Sequence, residues 1–177
     1  SMSTKARGGP PSRIKFEGVY DWDNLYKLFH SWFEERGWDH DDKTYKHKTS
    51  SLGREEELII NCWVKESEYI KYHISLDIHT WSNQPAEVIK DGKKVQLWKG
   101  RIRIIISNEI EYDWQNRFEG SSFLTKIREF YHKHVFVDED NALIQDKVYY
   151  ISYNLHEAIK KFLDMYSQEN VYSKSSF

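Results

Sequence analysis

His73, Asp77 and His79 sit at alternating positions in the stretch Tyr69–Trp81, YIKYHISLDIHTW. Imidazole and carboxylate groups together are the donors of a zinc site or the partners of general acid–base catalysis. Between them run Ile70, Tyr72, Ile74, Leu76 and Ile78, the period-two pattern of a half-buried strand, so the polar trio shares the opposite face. A strand rises about 3.3 Å per residue, which sets His73 and His79 roughly 20 Å apart and His73 and Asp77 about 13 Å apart. Metal donors must meet about 2 Å from one point. Only Asp77 and His79, about 7 Å apart on that rise, are close enough to share an ion. They would need carboxylates from another strand, for which Glu109 and Glu111 are the candidates. The trio is expected to be the solvated side of a strand.

Other titratable clusters fare no better. WDHDDK, at Trp38–Lys43, crowds His40 with Asp39, Asp41 and Asp42. Oxygen-rich clusters hold divalent cations, but the glycine and the downstream glutamate of an EF-hand loop are missing. The segment follows Gly37, which ends a helix, so a solvated turn is expected. His132 and His134 lie near the end of a predicted helix, where positive groups answer the macrodipole. Positions two apart on a helix diverge, so they form no chelate. Phosphate-binding glycine loops, a GxSxG elbow and HExxH are all absent. The single cysteine, Cys62, excludes an internal disulfide and a multi-cysteine metal centre. Its apolar neighbours, Leu58–Val64, make it a buried, inert thiol. No catalytic residue, metal or cofactor is expected.

What remains is surface chemistry. Trp63, Lys65, Lys71, Trp98, Arg101 and Arg103 are placed off the apolar faces, with His73 and Trp81 beside them. Cations interleaved with rings hold phosphates and stack bases. Asp77, Glu109, Glu111 and Asp113 on the same or adjacent strands oppose this. The net charge of −2 and pI near 6.4 lack the basic excess of a general nucleic-acid binder. A local patch is the route left open.

The elements that must position these groups follow from patterning. At 177 residues, with 39% hydrophobic, 16% aromatic and 31% charged residues, one globular domain is expected. Residues 1–13 read as a flexible basic tail, 14–168 as a single domain and 169–177 as a loose tail. RIKFEGVY is a short strand. In DWDNLYKLFHSWFEERG, Leu25, Leu28, Phe29, Trp32 and Phe33 form one helical stripe, with Asp21 or Asp23 as cap and Gly37 as stop. Strands follow: DKTYKHKTS, turning at SSLGR into EEELIINCWVKE, then the opening stretch. After a break at SNQP come EVIK and KKVQLW, joined by the Asp91–Gly92 hairpin signature. Gly100 separates these from RIRIIISNEIEYDW. Two helices close the chain, one over SSFLTKIREFYHKH and one at about 148–167.

That order defines an α+β domain, an antiparallel sheet of about five to six strands with helices packed on one face. A helix-grip-like arrangement is compatible with it. The chain also resembles a family of small uncharacterised archaeal proteins of unknown function. YDWDNLYKLFHSWFEERG, DGKK followed by KGRIRI, and KKFLDM carry the resemblance, which covers most of the chain and implies no activity.

No run approaches the ~18–20 apolar residues of a membrane span. SMSTKARGGPPSR lacks the apolar core of a signal peptide, and its Ser-Met start reads as a tag scar. The expected setting is the cytoplasm. The expected function is non-enzymatic recognition of a macromolecule through an exposed sheet face. Single-stranded nucleic acid is preferred to a protein partner. The alternatives are a small-molecule binding protein or enzyme with a cavity between sheet and helices, and a structural subunit of an assembly.

Overall fold

In the computed structural model, residues 4–116 and 139–166 are described. The chain runs β1 (Thr4–Arg7), β2 (Ser12–Tyr20), α1 (Trp22–Glu34), β3 (Asp39–Ser50), β4 (Gly53–Lys65), β5 (Ile70–Lys90), β6 (Lys93–Tyr112), α2 (Glu139–Leu163) and a 3-10 turn, Asp164–Tyr166. Among the described residues the strands form one six-stranded antiparallel sheet, ordered β1–β6–β5–β4–β3, with β2 also on β6. β5 occupies one edge of β6, so β1 and β2 share the other end to end, β2 opposite residues 98–106 and β1 opposite 109–112. The α+β class holds.

Several boundaries differ from expectation. Thr4–Arg7, expected in a flexible tail, is a strand, because β6 extends beyond the end of β2 and offers it unpaired backbone. Trp38–Lys43 is not a turn: β3 begins at Asp39, directly after the helix stop. SNQP does not break the chain, since β5 runs through it for 21 residues. The irregularity there is a bulge between Trp81 and Gln84, with Ser82 at φ 54°. Opposite it sits Gly100, where a Cβ would fall 2.1 Å from Asn83 Oδ1 and 2.8 Å from the Trp81 carbonyl. Glycine is needed there because the bulged backbone fills the space. The predicted helix at 121–134 and the tail from 169 lie outside the described residues.

Local chemistry accounts for the elements. Asp91 and Gly92 take φ of 53° and 75°, joining β5 to β6 by a tight turn of the kind that needs both central residues left-handed. Asp21 caps α1, its carboxylate accepting from the Asn24 N–H. The helix closes where Gly37 N–H donates to the Glu34 carbonyl and Trp38 N–H to that of Phe33, a Schellman pattern with Gly37 at φ 76°.

The even-numbered sheet face is apolar. Leu58, Ile60 and Cys62 of β4, Ile74, Leu76 and Ile78 of β5, and Ile102, Ile104 and Ile106 of β6 are buried. Register keeps them on one side, with Ile60 opposite Leu76 and Leu76 opposite Ile106. Leu25, Phe29 and Phe33 of α1 and Val148, Leu155 and Ile159 of α2 belong to the same core. Beyond the bulge, Leu97 forms a small second core with Val19 and Tyr166. Neither α1 nor α2 is long and apolar enough to cross a membrane.

Candidate functional site

The odd-numbered face between Arg101 and Glu111 carries the polar side chains, arranged in rows by register. One row runs Arg7, Glu109, His73, Trp63 and Asp39 across five strands. Another runs Lys15, Arg103, His79, Glu57 and Lys46. The two rows are six residues apart on β5, roughly 20 Å at the strand rise.

Each row ends up with rings and cations together. Near the first, Lys71 Nζ lies 5.5 Å from the Trp63 ring and 6.0 Å from that of Trp114, which Lys65 approaches at 4.7 Å. The Trp114 indole N–H donates to the Ser67 carbonyl at 2.9 Å, fixing the ring at the sheet margin. Near the second, the guanidinium groups of Arg101 and Arg103 lie 5.8 and 5.6 Å from the Trp81 ring. Such contacts leave the cation's outer donors available to a phosphate.

Concave space coincides with both. A hollow of about 670 Å³ lies over the first row, lined by Lys5 and Arg7 at one end, Trp63, Lys71 and His73 in the middle, and Lys43 at the other. A second, of about 470 Å³, is lined by Lys15, Glu17, Trp81, Arg101 and Arg103. Between α2 and the sheet, the cleft lined by Ser12, Ile106, Tyr153 and His156 measures about 230 Å³, below the ~300 Å³ at which small-molecule pockets commonly begin.

Trp63, Lys65 and Lys71 therefore converge, and Arg101 and Arg103 converge at the other end. Trp98 joins neither group. It lies on the even side of β6, packs against the main core, donates its indole N–H to Asp23 at 3.4 Å and receives Arg54 at 4.9 Å. Sequence reasoning misses Trp114, and it leaves Lys5 and Arg7 in a basic tail apart from the sheet. The basic tail gave no periodicity, and only pairing with β6 places Lys5 and Arg7 on this face.

The opening trio is dispersed, each member to a different partner. His73 meets Glu111 at 2.7 Å, and Asp77 meets Arg103 at 3.9 Å. His79 turns away from Asp77 to Glu55 at 2.8 Å and Glu57 at 3.1 Å, both on β4. Glu109 lies 4.0 Å from Lys5. Glu109, Glu111, Asp77, Glu55 and Glu57 are thus engaged laterally by cations and imidazoles of the same face. Burial, and secondarily the Asp42 carboxylate, push the Cys62 thiol up to about 12, so it is no nucleophile.

No protein-family model and no curated protein sequence matches the chain.

Proposed function

We propose that the protein is a non-enzymatic binding module that takes single-stranded nucleic acid on the odd face of its sheet, in the cytoplasm. The observation carrying this reading is the pairing of rings with cations at both ends of that face, Lys71 with Trp63 and Arg101 and Arg103 with Trp81. Rings stack bases of any sequence and cations hold the phosphates between them. Support also comes from α1 and α2 sharing a core with the even face. In this reading the helices form one layer on that side, in a helix-grip-like arrangement, and the odd face is left for a partner. The free, buried Cys62 suits a reducing compartment. The overall charge of −2 restricts binding to this patch and makes it weak and salt-sensitive.

The test is titration of the protein with single- and double-stranded oligonucleotides at low salt, following tryptophan fluorescence. Saturable quenching by the single strand, lost on replacing Arg101 and Arg103 by alanine, is expected. Absence of binding at low salt, or binding indifferent to both substitutions, rejects the reading. A protein partner on the same face would survive that rejection and would be sought by pull-down with and without Trp63→Ala.

A further inference from the structure

On the other side of the molecule, the last two turns of α1 lie against the first residues of edge strand β3. The helix presents Tyr26, His30 and Glu34 at four-residue intervals, which stack on one helix face. The strand presents His40 and Asp42, two apart and so on one strand face. A register shift between Asp42 and Thr44 follows at once, and such bulges re-aim the side chains beside them.

Among the described residues, donor atoms of His30, His40 and Asp42 all lie within 4.8 Å of one another. His30 Nε2 is 2.9 Å from Asp42 Oδ1, His40 Nε2 is 2.7 Å from Glu34 Oε1, and the two imidazole centroids are 4.8 Å apart. A tetrahedral ion with bonds of about 2.0–2.1 Å spaces its ligand atoms roughly 3.4 Å apart. Side-chain adjustments of about 1 Å bring the set to that geometry.

The surroundings argue for an ion rather than a chance group of hydrogen bonds. His30 Nδ1 lies 3.0 Å from the Tyr26 carbonyl. A carbonyl only accepts, so Nδ1 carries the hydrogen, and in the neutral ring Nε2 directs a lone pair at the Asp42 carboxylate. Closing two acceptors to 2.9 Å takes a positive species between them, either a second ring proton or a metal ion. The Tyr26 hydroxyl donates to Asp42 Oδ2 at 3.2 Å, occupying that oxygen and leaving Oδ1 facing the imidazole. One residue thus supplies the outer partner of two ligands, a backbone carbonyl for the histidine and a hydroxyl for the carboxylate. That outer arrangement is the one metal-bound histidines and carboxylates require.

We infer that His30, His40 and Asp42 form a site for a divalent cation of the zinc class, with Glu34 as a fourth donor. Two imidazoles and carboxylate oxygen suit zinc and its first-row neighbours; magnesium and calcium take oxygen alone. The ion would tie the helix end to the edge strand, a role independent of the opposite face.

The experiment strips the purified protein with a chelator and titrates it with Zn²⁺, then with Mg²⁺, by calorimetry. One Zn²⁺ per chain is expected, and no Mg²⁺ uptake. His30→Ala and His40→Ala each abolish the one-to-one binding, and Tyr26→Phe weakens it about tenfold or more. Circular dichroism checks that each variant folds. Should the histidine variants unfold, the wild type decides: Zn²⁺ must shift the imidazole NMR resonances of His30 and His40 and leave those of His73 in place. Failure to bind Zn²⁺, equal uptake of Mg²⁺, unchanged affinity in the folded double-histidine variant, or loss on His79→Ala with retention on His30→Ala would each overturn the site.

Discussion

His79 lies flat against Trp81, with ring centroids 3.7 Å apart and planes 12° from parallel. The imidazole is itself held from β4 by Glu55 and Glu57, so the indole is locked by a group that never touches the proposed partner. A fixed ring loses less entropy on stacking a base. His79→Ala is expected to weaken oligonucleotide binding by less than Trp81→Ala does, with unchanged salt dependence. Equal or larger loss for His79→Ala would show that the imidazole makes contact directly.

Arg101 and Arg103 act as charges. Replacing both by alanine should flatten the slope of log affinity against log salt by roughly 1.4, or ~0.7 for each phosphate on a single strand. An unchanged slope in fluorescence titrations across a salt series would remove the arginines from the interface.

Trp63 and Trp98 separate binding from stability. Trp63→Ala is expected to cost about 1–3 kcal/mol of binding, the range for one stacked base. Trp98→Ala should leave affinity intact and lower unfolding free energy by about 2 kcal/mol, since its ring is packed on the core. Denaturant melts and binding curves on both variants give the comparison; a binding loss for Trp98→Ala contradicts the face assignment.

Alkaline conditions weaken the core. Burial raises Cys62 from its ordinary 9.0 to about 12, and Tyr72 from 10.0 to about 12. Below pH 9 both groups are protonated in both states, and their contribution is fully present. Above it the unfolded chain loses these protons while the folded chain keeps them, so stability falls as pH rises from about 9 toward 12. Urea midpoints measured across that range should decline less steeply in Cys62→Ala and Tyr72→Phe. Parallel declines would mean that neither group is shielded in the native state.

Gly100→Ala sets a methyl group against Asn83 and the Trp81 backbone. A loss of about 1–3 kcal/mol is expected from the overpacking. Gly92→Ala, with nothing within 4 Å but φ 75°, should cost about 1 kcal/mol from the left-handed backbone alone. Thermal melts rank the two, and a harmless Gly100→Ala would mean that the bulge can move.

Much of this architecture was legible because it rests on period and turn chemistry. The Leu25–Phe33 stripe, the alternation Ile70–Ile78 and the Asp91–Gly92 turn each declare themselves locally. Trp98 did not, because Gly100 mimics a strand break, whereas β6 runs through it in unbroken register with β2 and sets Trp98 on the same side as Ile102. Asp77 and His79 shared a predicted face, yet longer-range partners took each one: Arg103 from β6 and Glu55 and Glu57 from β4. The His40–Asp42 cluster stands without His30 in the sequence because a helix residue and a strand residue ten positions apart share no common period. Their meeting depends on the angle at which the chain leaves Gly37.

Ser12 pairs with Ile106 and Thr4 with Tyr112, so the sheet joins nearly the first described residues to the end of its last strand. Closing so large a loop is entropically costly and slows folding. On the ribosome, β1 and β2 emerge long before β6 exists. The β3–β4–β5 meander has its partners within reach first. The earliest part of the chain therefore waits for an edge made about a hundred residues later, and its pairing is expected to be a late step in folding.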